Sequence, residues 1–431
     1  MTYKIPATQP DLPVELVDHI LSFLQEDPKT LSVCMSVNIL FCRLAQKHFC
    51  RILRLQNIPK YHPDGPEPPQ ILKLLTGSPH LTTYVRTVRI LFSLLSLLQR
   101  ISHFPTYESH MASILQMLVN VKEVNMGWKR PNVMPWKTLP STFRSAFCVF
   151  LRRQSITSLG IDYLSGFPLS ILNDCASLRS LSLIGGFSFS SDGAKSQNNS
   201  RAQLERFNLN SIMENSSSSV TAWFESPGSP DLSTVTFLCA KTSFLEDHHH
   251  ITRLLQMTRS LNVLELEFGR EICTYYNPFA ADAATAHIPL PVNLLLASLT
   301  KLRHLKISAV FSSTTDFFVS SDGETAHEQT VYRHPVSWIV RLLAPLGEHK
   351  HLEQIDFHFG LEMTPHVVRN HVPWKDLSTV LLSIQGLKKV RMAYIPIKRP
   401  LSQKKELIEV FNSDEHLSRL VKAGLLEISQ L

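Results

Sequence analysis

The side chains best suited to chemistry are His248, His249 and His250, which follow Glu246 and Asp247. Imidazoles and carboxylates together form a common metal-ligand set. Three adjacent histidines on a helix point in different directions, so they cannot all converge on one ion, and the run reads as a solvated helix start. Seven cysteines (Cys34, Cys42, Cys50, Cys148, Cys175, Cys239 and Cys273) are scattered, with no Cys-x-x-Cys pair and no recurring zinc-ligand spacing. They read as buried free thiols of a reducing compartment. The sequence has no G-x-S-x-G elbow, no Gly-rich phosphate loop and no H-E-x-x-H motif. The expectation is a non-catalytic chain without metal or cofactor.

Charge carries the next signal. Lys388, Lys389, Arg391, Lys398, Arg399, Lys404 and Lys405 gather near the C-terminus. They read either as a nuclear-import signal or acidic-partner site, or as solvated residues at a repeat edge. Lys plus Arg number 43 against 36 Asp plus Glu, a net charge of +7 and a pI near 9.0. Over 431 residues this excess is mild. It favours acidic partners in general and selects none, and direct nucleic-acid binding is not expected.

Apolar residues make up 44% of the chain, enough for a sizeable core, and charged residues only 18%. The length fits about three domains or one long repeat array. The opening Met-Thr-Tyr-Lys-Ile-Pro lacks the apolar core of a signal peptide. The densest apolar run, Ile90 to Leu98, is about half a membrane span. An intracellular chain, cytoplasmic and/or nuclear and independent of membranes, is expected.

Asp11 to Cys50 reads as three short helices. Pro13 suits a first turn and Glu15 adds favourable negative charge there. Leu16, Val17, Ile20, Leu21 and Leu24 recur at helical spacing and form a wide apolar face. Asp27-Pro28 is an N-cap and N1 pair for a helix through Leu31 to Met35. Ser36 is placed to cap a third, with Val37, Leu40, Phe41, Leu44 and Ala45 on one side. So small a unit is short of core and calls for a partner or a packed neighbour.

Leu12-Pro13-x-Glu15-Leu16-x-x-x-Ile20-Leu21-x-x-Leu24, followed by Leu31, Val37 and Phe41, resembles the F-box. Phe41 stands where members of that family often carry tryptophan; it keeps the apolar ring and loses the indole donor. The resemblance implies docking onto the small Skp-type adaptor of SCF-type cullin–RING ubiquitin ligases. By family correspondence Leu12, Pro13, Ile20, Leu24 and Val37 would face that adaptor. The implied role is substrate receptor. A ligase-independent scaffold, whose helical trio merely caps the following array, is the alternative.

Past a Pro-rich linker (56–70), one pattern returns: apolar-x-x-apolar-x-apolar. It appears at Val85/Val88/Ile90, Val121/Val124/Met126, Ile156/Leu159/Ile161, Leu178/Leu181/Leu183 and Leu204/Phe207/Leu209. It continues at Leu232/Val235/Phe237, Leu261/Leu264/Leu266, Leu302/Leu305/Ile307, Leu352/Ile355/Phe357 and Leu387/Val390/Met392. The last two positions alternate as in a half-buried strand. Helical patterns lie between many of them, at Met111–Val119, Phe143–Leu151, Ile251–Met257, Val292–Leu299, Val336–Leu343 and Leu377–Ile384.

Strand then helix, repeated, resembles the leucine-rich repeat, most closely over Leu172 to Leu183. The spacing is irregular, and no asparagine or cysteine follows the strands at the usual place. Gly186, Gly269 and Gly360 stand there and suit a turn. The expected fold is an α/β repeat: an N-terminal three-helix F-box (1–55), then an irregular leucine-rich-repeat-like solenoid with a parallel strand face (71–431).

Gly185–Ser200, Glu214–Ser219, Glu225–Pro230, Arg270–Ile288 and Ser312–His334 read as inserted loops, with binding the expected role of the aromatic one holding Tyr275, Tyr276 and Phe279. The five tryptophans fit either core or binding anchors. Outward strand residues, Arg206, Asn208, Glu265 and Asp356 among them, alternate with the buried ones. Arg303, Lys306, Lys389 and Arg391 make that row basic toward the C-terminus. The expectation is an unidentified protein substrate with an acidic patch.

Overall fold

The computed structural model describes residues 12–25, 27–56, 67–92, 104–128, 133–153, 156–188, 201–211, 216–242, 247–268, 296–319, 326–333, 335–363, 365–396, 409, 411 and 413–430. Residue contacts divide the chain into two compact units, Met1–Tyr163 and Leu164–Leu431.

The first unit opens with three helices: α1 (Val14–Ser22), α2 (Pro28–Cys34) and α3 (Ile39–Phe49). Asp27 caps α2 by accepting from Thr30 N at 3.1 Å, and Pro28 supplies a preset first turn. Asn38, not Ser36, caps α3, its Oδ1 accepting from Phe41 N at 2.9 Å; the Ser36 hydroxyl instead donates back to the Val33 carbonyl.

The chain then enters β1 (Ile52–Gln56), α4 (Pro68–Gly77), β2 (Thr87–Phe92), α5 (Phe104–Met117), β3 (Glu123–Trp128), β4 (Met134–Pro135), α6 (Ser141–Arg153) and β5 (Ser158–Pro168). Strands β1, β2, β3 and β5 pair in parallel, which requires a crossover between each. The register stacks Leu53, Val88, Val124 and Leu159 in one column and Leu55, Ile90, Met126 and Ile161 in the next. The ladder thus begins at Ile52, inside the stretch that the sequence assigns to the helical unit. Both ends of the expected linker are structured: Gln56 closes β1, and the Gln70 side chain accepts from Glu67 N as α4 starts.

The second unit repeats the arrangement. Its elements are β6 (Ser180–Ser188), β7 (Arg206–Ser211), α7 (Ser216–Phe224), β8 (Phe237–Thr242), α8 (Asp247–Met257), β9 (Val263–Phe268) and β10 (His304–Val319). They continue with β11 (Ala326–Arg333), α9 (Val336–Leu343), β12 (Gln354–Leu361), α10 (Pro365–His371), α11 (Trp374–Ser383), β13 (Lys389–Pro396), α12 (Glu415–Lys422) and β14 (Leu426–Gln430). Apart from β11, successive strands pair in parallel and in chain order. One apolar column runs Leu181, Phe207, Leu238, Leu264, Leu305, Ile355, Val390 and Leu426.

Several sequence expectations are corrected here. The sixth repeat is Val235/Leu238/Ala240 rather than Leu232/Val235/Phe237, because Leu238 and Ala240 align with Phe207 and Leu209 and are buried. Alanine gives a weak apolar signal, so the pattern locked three residues early. The serine tract Ser216–Ser219 is no loop: it is the first turn of α7, with Ser216 and Ser217 buried. The turn after α7 is equally ordered, the buried Ser229 hydroxyl donating to the Phe224 carbonyl at 2.8 Å. Ser312–His334 is largely a hairpin, β10 extending outward to pair antiparallel with β11.

Gly186 and Gly360 lie inside strands, and among the described residues the glycines with positive φ are Gly166, Gly185, Gly228 and Gly424. Of Val292–Leu299, the described part holds a single 3₁₀ turn, Leu296–Ser298. All five tryptophans are core residues. The Trp223 indole donates to buried Asn173 Oδ1 at 2.7 Å. Gly269, Cys273, Tyr275, Tyr276, Phe279 and the Lys398–Lys405 cluster lie outside the described residues.

Candidate functional site

Two surfaces merit attention, each within one unit. In the helical trio, Val17, Leu21, Leu31 and Ala45 form a small core, with Leu24, Met35, Phe41 and Leu44 packed against it. Asp18 ties α1 to α3, its carboxylate 2.8 Å from the Lys47 ammonium and 2.7 Å from the buried His48 ring. The hydrogen bond from Lys47, reinforced by His48, holds the Asp18 carboxyl below its usual value.

That core uses one side of each helix. Around it, on the helices and in the segments that flank them, Leu12, Val14, Leu16 and Ile20 are exposed, and Phe23, Val37 and Ile39 are 74%, 60% and 75% exposed. Val33 joins them. So many large apolar side chains on one small unit exceed the scattered exposure of ordinary surfaces.

The residues singled out from sequence therefore separate into two sets. Leu12, Pro13, Glu15, Leu16, Ile20 and Val37 are exposed. Leu21 and Leu31 are sealed in the core, and Leu24 and Phe41 are partly buried against it. Phe23, Val33 and Ile39 were not singled out. A usable signal was present: each helix carries more apolar residues than one inward stripe can use.

The second surface is the outward strand face of the second unit. Lys306, one of four cations expected to bind substrate there, lies 3.4 Å from Glu265 on the adjacent strand. Lys389 and Arg391 both reach Glu427, at 2.6 and 3.3 Å. Lys241 pairs with Glu267, and His304 with the buried Asp356 at 2.8 Å. Burial, and secondarily the nearby Lys306, depresses the pKa of His358 and favours its neutral form.

Arg303 sits just ahead of β10, exposed; its backbone carbonyl accepts from Glu353 N and Gln354 N. Basic residues on one strand thus face acidic residues on the next, and three of the four expected cations are already neutralised. Cross-strand opposite charges stabilise a sheet by roughly 0.2–1 kcal/mol each.

Among the described residues no group of three or more His, Cys, Asp or Glu side chains is placed to hold a metal ion. No helix there is long and apolar enough to cross a membrane. Burial pushes the thiols of Cys50 and Cys239 up to about 11, so neither is a thiolate nucleophile at neutral pH.

No family model matches the chain, and no curated protein matches it.

Proposed function

We propose that the chain is a non-catalytic substrate receptor of an SCF-type cullin–RING ubiquitin ligase. The helical trio docks a Skp-type adaptor, and the strand face of the second unit holds a protein substrate. The observation that carries this reading is the set of exposed apolar side chains on the trio, from Leu12 through Ile39, beside a core cluster that among the described residues holds four buried side chains with a few more packed around them. Removing exposed apolar area from water is favourable by about 25 cal/mol per Å², which gives these side chains a reason to seek a partner. The order of residues from Leu12 to Phe41 supports the choice of adaptor. Catalysis then belongs to the ligase, and this chain contributes proximity by raising the local concentration of substrate lysines.

Co-expression of the full chain with a Skp-type adaptor, followed by affinity capture and gel filtration, tests the reading. Comigration is expected with the wild type and is lost in Ile20→Asp/Val37→Asp, which puts unpaired charge into the apolar contact. Wild type that elutes without adaptor leaves the trio as a cap in a ligase-independent scaffold.

A further inference from the structure

One cation of the outward strand face has, among the described residues, no carboxylate paired with it. Arg206, on β7, is exposed, and among the described residues its charged group meets only an aromatic ring: the guanidinium carbon lies 4.6 Å from the centre of Phe237 on β8. Glu205, next in sequence, faces Arg179 instead, at 3.9 Å. The register sets Ser180 of β6 on the other flank of Arg206. One step along the strands, the Asn208 amide donates to the Ser182 hydroxyl at 3.2 Å.

A guanidinium lying over a ring has its orientation restrained while its N–H donors stay free in its own plane. Such a fork is prepared for a carboxylate, which it grips through two parallel hydrogen bonds. Asn208 and Ser182 add neutral donors and acceptors beside it.

We propose that Arg206, backed by Phe237 and flanked by Asn208 and Ser182, is the docking point for an Asp or Glu side chain of an extended acidic segment in a partner protein. Charge complementarity selects the occupant. Lys306, Lys389 and Arg391 already hold carboxylates of this chain, so an incoming acid would have to displace one of them, whereas Arg206 has none to displace among the described residues. A nucleic-acid strand crossing the same face would bring phosphates against Glu265, Glu267, Asp356 and Glu427. A single acidic side chain on a peptide avoids them. The biological meaning of the contact rests on the substrate-receptor reading; the contact itself does not require adaptor binding.

Display of random octapeptides against the full-length chain tests the proposal, with Arg206→Ala, Arg206→Lys and Lys389→Ala/Arg391→Ala selected in parallel. Peptides enriched by the wild type should be rich in Asp and Glu. Arg206→Ala should weaken them by about tenfold, Arg206→Lys should not restore them fully, and the Lys389/Arg391 variant should retain them. Thermal melting of the exposed-site variant Arg206→Ala should match the wild type, separating lost binding from lost fold. The proposal is overturned if no acidic enrichment appears, if Arg206→Ala keeps the same peptides, or if single-stranded DNA displaces them as well as free acidic peptide does. Adaptor capture, measured on the same samples, reports separately on the ligase reading, so either can fail alone.

Discussion

Leu31 and Val37 are both aliphatic and close in sequence, yet Leu31 is fully buried and Val37 stands mostly in solvent. Their difference lies in position, not in residue type: Leu31 faces the core from within α2, whereas Val37 sits in the turn between α2 and α3, where no neighbouring helix covers it. The two should respond oppositely to substitution. Leu31→Ala removes buried methyl groups and should destabilise the trio by about 3 kcal/mol, read by chemical denaturation. Val37→Asp should leave stability within about 0.5 kcal/mol. Equal losses at both sites would mean that Val37 is packed in solution. Arg206 and Lys389 make the same contrast for charge: both are cationic strand residues, but among the described residues Lys389 meets an acid on the next strand and Arg206 an aromatic ring.

Elements in the second unit follow a rule that residue types only partly announce. A parallel strand needs a helix or long connection to reach its neighbour, and the chain supplies one each time, except at the β10–β11 hairpin. That hairpin accounts for the long interval between Leu305 and Ile355. It pairs beyond the column positions, since Leu305 and Ile307 lie before its first paired residue, Ser312. Replacing residues 313–333 with a short Gly/Ser linker should therefore lower the melting temperature by only a few degrees, because loop length itself costs little. Loss of cooperative unfolding would show that β11 helps hold the repeat columns. Helix α7 teaches the opposite lesson. Its serines resemble a loop but sit against the core, where the Thr221 hydroxyl donates to the Ser217 carbonyl at 2.8 Å and the Trp223–Asn173 bond closes the layer.

At the scale of the whole molecule, both units consist of strands that pair mainly with their neighbours in chain order. Stability in such arrays approximates a sum over adjacent repeats, and the terminal repeat protects the one before it. In the second unit α12 and β14 cover the β13 repeat in this way. Leu417 and Leu420 are buried, and Leu426 and Ile428 pair with Val390 and Met392. Truncation after residue 412 should expose Val390 and Met392 and lower the thermal midpoint while retaining most of the circular dichroism of the remaining repeats. A truncated chain as stable as the full one would place the end of the core at β13.

What the amino-acid sequence determined by itself was the positions of most strands and helices, since periods of two and of 3.6 are local properties that a short window displays. Nine of the ten apolar triplets fall where buried strand columns stand, and the exception, Leu232/Val235/Phe237, gives way to Val235/Leu238/Ala240, which hides behind a small residue. Tertiary structure alone decided which side of the helical trio is spent on its own core, whether a serine tract is helix or loop, and which charges remain unmatched. Each of those outcomes depends on partners far away in the chain: Lys306 meets Glu265 from 41 positions away, and Trp223 meets Asn173 from 50. A local pattern carries no record of which side chain the next strand will bring, so the binding character of the strand face emerges only once the ladder is assembled.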